Sequence, residues 1–106
     1  MANDKEYKPR DEIDVFKAAY LVGGLHKFAL EVERANRKDA ETFKSIYRAA
    51  VTHFSVSQKE IAERIGYSKA AVCKWLHTNH MPPQPTREAV IAEILDMVRE
   101  QLRESV

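Results

Sequence analysis

Cysteine is nearly missing from this chain: Cys73 is the only one in 106 residues, which rules out an intramolecular disulfide. Glycine and proline are scarce as well, with three and four copies, and alternating β-branched runs are few. No apolar run approaches the roughly 18 residues that a membrane-spanning helix needs, and Met1–Glu6 lacks the apolar centre of a secretory signal. Internal repeats and low-complexity tracts are absent. These shortages point away from a disulfide-stapled secreted domain and from a membrane protein, and toward a cytoplasmic one.

What is present is 44% hydrophobic and 31% charged residues, enough to build a core. A chain of this length fits one domain and has no room for a second core. Ala, Glu, Lys, Arg and Leu recur at helical spacing, so an all-α fold is expected. Net charge is only +1, but it is unevenly spread. Residues 57–87 carry five basic side chains (Lys59, Arg64, Lys69, Lys74, Arg87) against two acidic ones, Glu60 and Glu63. Residues 88–106 reverse the balance, with Arg99 and Arg103 against Glu88, Glu93, Asp96, Glu100 and Glu104. A basic middle and an acidic end suit a nucleic-acid-facing surface turned away from the last helix.

Residues 1–10 read as a polar tail, and residues 11–38 as a helical segment marked by Ile13, Phe16, Ala19 and Tyr20. Gly23-Gly24 interrupts it, since glycine lowers helix stability by roughly 1 kcal/mol per residue relative to alanine. The pattern resumes through Leu25, Phe28, Ala29 and Val32. Residues 39–106 then carry better-marked helices. Asp39 is the expected N-cap of a helix with the stripe Phe43, Ile46, Tyr47, Ala50 and Phe54. Ser57 and Glu60 fit a capping box, flanked by Val56 and Ile61 as a hydrophobic staple. Ser68 repeats the cap, with Tyr67 and Val72 as the staple, and Pro85-Thr86 are expected to open the last helix. These signals predict helices at about 58–65, 69–77 and 87–103. The last carries Val90, Ile94, Val98 and Leu102 on one row, and Ile91 and Leu95 beside it are a candidate dimer seam, a role for which the apolar positions of 13–32 compete.

The stretch from Gln58 to Leu76 has the logic of two short helices joined by a tight turn. Ile61 and Ile65 face inward, and Ala62 is small enough for a second helix to cross closely. Gly66 supplies the positive φ that ends the first helix, and Val72, Trp75 and Leu76 anchor the second. Lys69, Ala70, Cys73, Lys74 and His77 then share its outer face, small and basic enough to enter a major groove about 12 Å wide.

Gln58, Ile61, Ala62, Gly66, Ser68, Val72, Lys74 and Trp75 together resemble the phage Cro/repressor-type, lambda-repressor-like helix-turn-helix family. Thr78–Pro82 is similar to the polar loop that follows the recognition helix in that family. The resemblance covers residues 58–82. It implies a lambda-repressor-like domain carrying an additional N-terminal helical extension, and sequence-specific binding to double-stranded DNA as a homodimer. The expected role is a nucleoid-associated transcription regulator, a repressor, of phage, prophage or mobile-element type. Carried over, Lys69, Ala70, Cys73 and Lys74 would face base edges, and Gln58, Lys59, Arg64, Ser68 and His77 the DNA backbone. Position 69 is lysine where many members have glutamine, and position 76 is leucine where glutamate is frequent. The alternative is an antitoxin or phage-encoded inhibitor that uses residues 11–38 to bind a protein. Binding RNA through the basic surface is a further one.

Cys73, His77 and His80 invite a metal reading, but a structural zinc site takes four ligands and no second pair lies nearby. Cys73 with His77 lacks an orienting acid and an oxyanion hole, so no catalytic residue is nominated. No metal, cofactor or enzymatic activity is expected.

Overall fold

The computed structural model describes residues 24–104. The tail at 1–10, the pattern through Ile13, Phe16, Ala19 and Tyr20, and Gly23 lie outside the described residues. Within them the fold is all-helical: α1 (Gly24–Arg34), α2 (Ala40–His53), α3 (Gln58–Ile65), α4 (Lys69–His77) and α5 (Gln84–Glu104). Gly24 takes φ +65° at the start of α1, a left-handed value at which a right-handed helix cannot run through.

Local chemistry sets most helix ends. The Asp39 carboxylate accepts from the Thr42 N–H, Ser57 Oγ from Glu60 N–H, and Ser68 Oγ from Ala71 N–H. Each satisfies a backbone donor that the first helical turn leaves open. Gly66, at φ +79°, closes α3, and the Gly66 and Tyr67 N–H groups both donate to the Ala62 carbonyl. The bounds of α3 and α4 coincide with those expected from these signals.

Two expectations are corrected. The last helix begins at Gln84 and not near Arg87. The Pro83 carbonyl already accepts the Arg87 N–H at 3.0 Å, and Pro85, which has no N–H to satisfy, fits inside a first turn. Thr86 is therefore helical and not a cap, and its hydroxyl meets that of Tyr67 at 3.2 Å. The dimer seam proposed for Ile91 and Leu95 is also absent as an exposed surface: they are 0% and 5% exposed. α5 packs on α1, α2 and α3, so its apolar row is covered on several sides and reads wider than a single interface would need.

The core gathers Phe28, Val32, Phe43, Ile46, Tyr47, Ile61, Val72, Val90, Ile91, Ile94 and Val98, all essentially inaccessible. The rings of Phe28 on α1 and Phe54 after α2 stack at 4.3 Å. Trp75 on α4 meets Phe43, Tyr47 and Tyr67 edge-on, with centroids 6.0, 5.7 and 5.7 Å away, a favoured aromatic geometry. One continuous cluster thus ties α1 to the helices that follow it. The part of the N-terminal segment that is described belongs to the same core as α2–α5, and its Phe28, Ala29 and Val32 face is buried.

Candidate nucleic-acid interface

α4 is a nine-residue helix held by one side only. Val72 and Trp75 are buried and Leu76 is packed partly against them. On the other side Lys69, Ala70, Lys74 and His77 are exposed and Cys73 is half-buried. Helical geometry accounts for most of the division: with 72, 75 and 76 turned inward, 70, 73, 74 and 77 fall on the other side, whereas Lys69 stands at the flank of the buried row and is exposed at the first turn.

A buried phenol fixes how α4 sits on its neighbours. Tyr47 Oη, on α2, donates to the Val72 carbonyl oxygen at 3.0 Å and to Gln58 Oε1 at 2.9 Å. The bond is forked, and it joins the middle of α4 to the first residue of α3. Burial pushes the Tyr47 pKa well above the ordinary phenol value, so this donor keeps its proton throughout the neutral range. Gln58 Nε2 is left without a partner among the described residues.

The face is uncompensated in charge. No acidic residue stands between Glu63 and Glu88, and Lys59, Lys69 and Lys74 enter no ion pair among the described residues. Arg87 is turned elsewhere, donating to the Pro82 and Lys38 carbonyl oxygens at 3.0 Å each.

The remaining expected backbone-contacting residues are placed unequally. Gln58 and Lys59 open α3 beside α4, and Ser68 caps α4 with its Oγ already accepting from Ala71 N–H. Arg64 is brought to a different surface. Its guanidinium lies 2.7 Å from Glu60, 3.2 Å from Glu93 and 3.2 Å from Glu100, and these carboxylates raise its pKa further, Glu60 most. Glu60 therefore directs its carboxylate to Arg64, whereas a capping box would have it accept from a backbone N–H of the first turn. Arg64 belongs to a junction between α3 and α5, and it is set apart from the face of α4.

Sequence reasoning named the loop that holds Asn79 but passed over its contact with Lys44. Lys44 Nζ on α2 donates to Asn79 Oδ1, just past α4, at 3.3 Å. Thirty-five positions separate them in the chain, so no local signal connects them. Among the described residues no three His, Cys, Asp or Glu side chains converge as a metal site, and no helix is long and apolar enough to cross a membrane.

Among the described residues, fold and face together define an all-helical arrangement in which α4 packs by one side into the core and presents a basic outer surface that enters no ion pair. No family model, no curated protein and no solved structure matches the chain.

Proposed function

We propose that the protein is a lambda-repressor-like helix-turn-helix regulator that binds double-stranded DNA sequence-specifically. α3 and α4 form the motif, and α4 enters the major groove. The observation that carries the reading is the outer face of α4: Lys69, Ala70 and Lys74 exposed, with no acidic side chain between Glu63 and Glu88. A solvated helix face of no consequence has no need of that one-sided charge, whereas a duplex requires it.

In this reading Lys69, Ala70, Cys73 and Lys74 meet base edges. A lysine donates to guanine O6 and N7, and an alanine methyl touches a thymine methyl. Gln58, Lys59 and His77 meet phosphates, and the free backbone N–H groups at the start of α4, behind Ser68, do the same. Arg64 is left out of the set because three carboxylates hold it. The protein acts as a repressor of phage, prophage or mobile-element type, as a homodimer on half-sites about one helical turn apart. Its dimer contact falls outside Ile91 and Leu95, which are buried.

The test is fluorescence anisotropy against a duplex from the region upstream of the protein's own gene, and against sites selected from random DNA. A shuffled duplex is the control. Specific binding gives a Kd on the order of 10⁻⁸ M, about 1,000-fold tighter than for the shuffled duplex. Equal, weak and steeply salt-dependent binding to every duplex would overturn sequence-specific reading and leave only phosphate attraction.

A further inference from the structure

Leu30 and Tyr67 are the large hydrophobic side chains left exposed among the described residues, at 36% and 39%. Tyr67 is in use: its ring lies edge-on to Trp75, and its hydroxyl meets that of Thr86. Leu30 stands on the side of α1 turned away from the buried Phe28, Ala29 and Val32. Lys27 and Arg34, three before it and four after, share that side and are exposed. Both carboxylates of α1 are engaged, Glu31 by Lys27 at 3.5 Å and Glu33 by Arg99 of α5. Arg34, Arg37 and Lys38 enter no ion pair among the described residues. This side of α1 is therefore apolar at its centre and basic toward its C-terminal end.

The chain just before α1 complements it. Residues 11–23 carry Asp11, Glu12 and Asp14 against one cation, Lys17. Ile13, Phe16, Ala19 and Tyr20 recur there at helical spacing. We infer that residues 11–23 of one copy dock on the outer side of α1 of a second copy, their apolar row on Leu30 and their carboxylates toward Arg34 and Arg37, and that the exchange is reciprocal. The inference rests on the homodimer of the DNA-binding reading. That homodimer needs a contact, and Ile91 and Leu95, being buried, do not supply it. An acidic amphipathic segment laid on a basic face around an apolar anchor follows the logic of helix-in-groove recognition. Reciprocal exchange closes the pair with two-fold symmetry and leaves neither copy with an open docking face. A phosphodiester would satisfy the arginines but has no use for Leu30, which favours a protein occupant. Dimer strength and groove reading then sit on separate parts of the chain.

The test is self-association of the full chain without DNA, by sedimentation velocity over a concentration series. Leu30→Gln alters the face, at an exposed position that the fold tolerates. Phe16→Gln alters the segment, and Asp14→Lys does so without removing an apolar side chain. Ala92→Gln, exposed on α5, is the control. Leu30→Gln should weaken the dimer about a hundredfold, because a two-fold contact loses Leu30 twice. Phe16→Gln should do the same, Asp14→Lys should weaken it less, and Ala92→Gln should leave it unchanged. Leu30→Gln and Phe16→Gln copies are then mixed, and the species are counted by native mass spectrometry. Their heterodimer keeps one contact whole, the intact segment of the first on the intact face of the second. It should therefore exceed the statistical proportion.

A wild-type dimer that Leu30→Gln and Phe16→Gln leave as tight as before overturns the inference, while the homodimer and the α4 reading stand. Weakened variants whose mixture shows only statistical heterodimer overturn the exchange, and place residues 11–23 against their own chain. A wild type that stays monomeric at every concentration overturns both the inference and the homodimer; a foreign protein or DNA is then the occupant of the Leu30 face. Sequence-specific binding by α4 is judged separately, by the anisotropy measurement. Its failure beside a dimer that behaves as expected leaves this inference intact.

Discussion

Arg64 on α3 and Glu100 on α5, thirty-six positions apart in the chain, meet at 3.2 Å. Glu60 and Glu93 approach the same guanidinium, so one cation holds three carboxylates at the junction of the two helices. The groups are partly exposed, which limits each pair to a fraction of a kcal/mol. Together they add to a junction that already buries Ile61 and Ile94.

Arg64→Met keeps much of the side chain's apolar reach and removes the charge. It should lower stability by about 1–2 kcal/mol, the loss shrinking as salt is added. Urea denaturation at two ionic strengths measures it. Affinity for DNA and its dependence on salt should stay as in the wild type, because this guanidinium does not face the α4 surface. A fall in the salt slope by about one would return Arg64 to the phosphate-contacting set.

Lys69 and Lys59 should separate base reading from phosphate attraction. Lys69→Ala is expected to cost roughly 1–3 kcal/mol on the selected duplex and to relax preference at one base pair. Lys59→Ala should weaken binding to every duplex alike and reduce the salt slope by about one. Competition assays with single-base variants of the selected site distinguish the two patterns.

Asp39 makes the acid limb of stability partly its own. Its carboxylate accepts from the Thr42 hydroxyl and the Thr42 N–H, both at 2.8 Å, and these bonds hold its pKa below the ordinary 3.8, with Arg87 adding a smaller effect. The folded state therefore favours the ionised form. That contribution is complete above the ordinary carboxylate range and is lost as pH falls through the lowered folded-state value. Asp39→Asn retains a capping oxygen but has no such titration, so its Tm should fall less steeply than that of the wild type below about pH 4. Asp39→Ala should cost about 1 kcal/mol at neutral pH. Parallel acid limbs for wild type and Asp39→Asn in thermal melts would remove Asp39 from this role.

Ser55 adopts φ +60° after α2, a left-handed conformation that a side chain disfavours. Ser55→Gly is expected to raise stability by up to about 1 kcal/mol, the relief of that strain exceeding the extra chain entropy of glycine. A lower Tm in the variant would mean that the serine side chain contributes more than its backbone geometry costs.

Trp75 is the only tryptophan, and it carries α4 on its ring contacts with Phe43, Tyr47 and Tyr67. Trp75→Ala should cost about 3–5 kcal/mol, enough to threaten folding of a domain this small. Trp75→Phe should cost less and keep α4 in place, as read from far-UV circular dichroism and a denaturation curve.

The sequence by itself determined the helices and their ends. Asp39, Ser57, Ser68 and Gly66 act on backbone groups within four residues, and the periodic apolar positions say which side of each helix is turned in. This is why the bounds of α3 and α4, and the outward set Lys69, Ala70, Lys74 and His77, were legible before any coordinates. Even locally there were limits: Pro85 and Thr86 looked like a helix start, but the Pro83 carbonyl had already begun α5 at Gln84. Only the tertiary structure decided the destinations of the long side chains. Arg64 looked like any basic residue beside a DNA-facing helix until α5 brought Glu93 and Glu100 to it. Ile91 and Leu95 looked like a seam until the neighbours of α5 covered them. Nothing in the sequence showed that Lys44 and Asn79 meet. Helix caps are settled by bonds that span a single turn, whereas these partners lie tens of residues apart and meet only because the packed apolar faces fix where each helix lies.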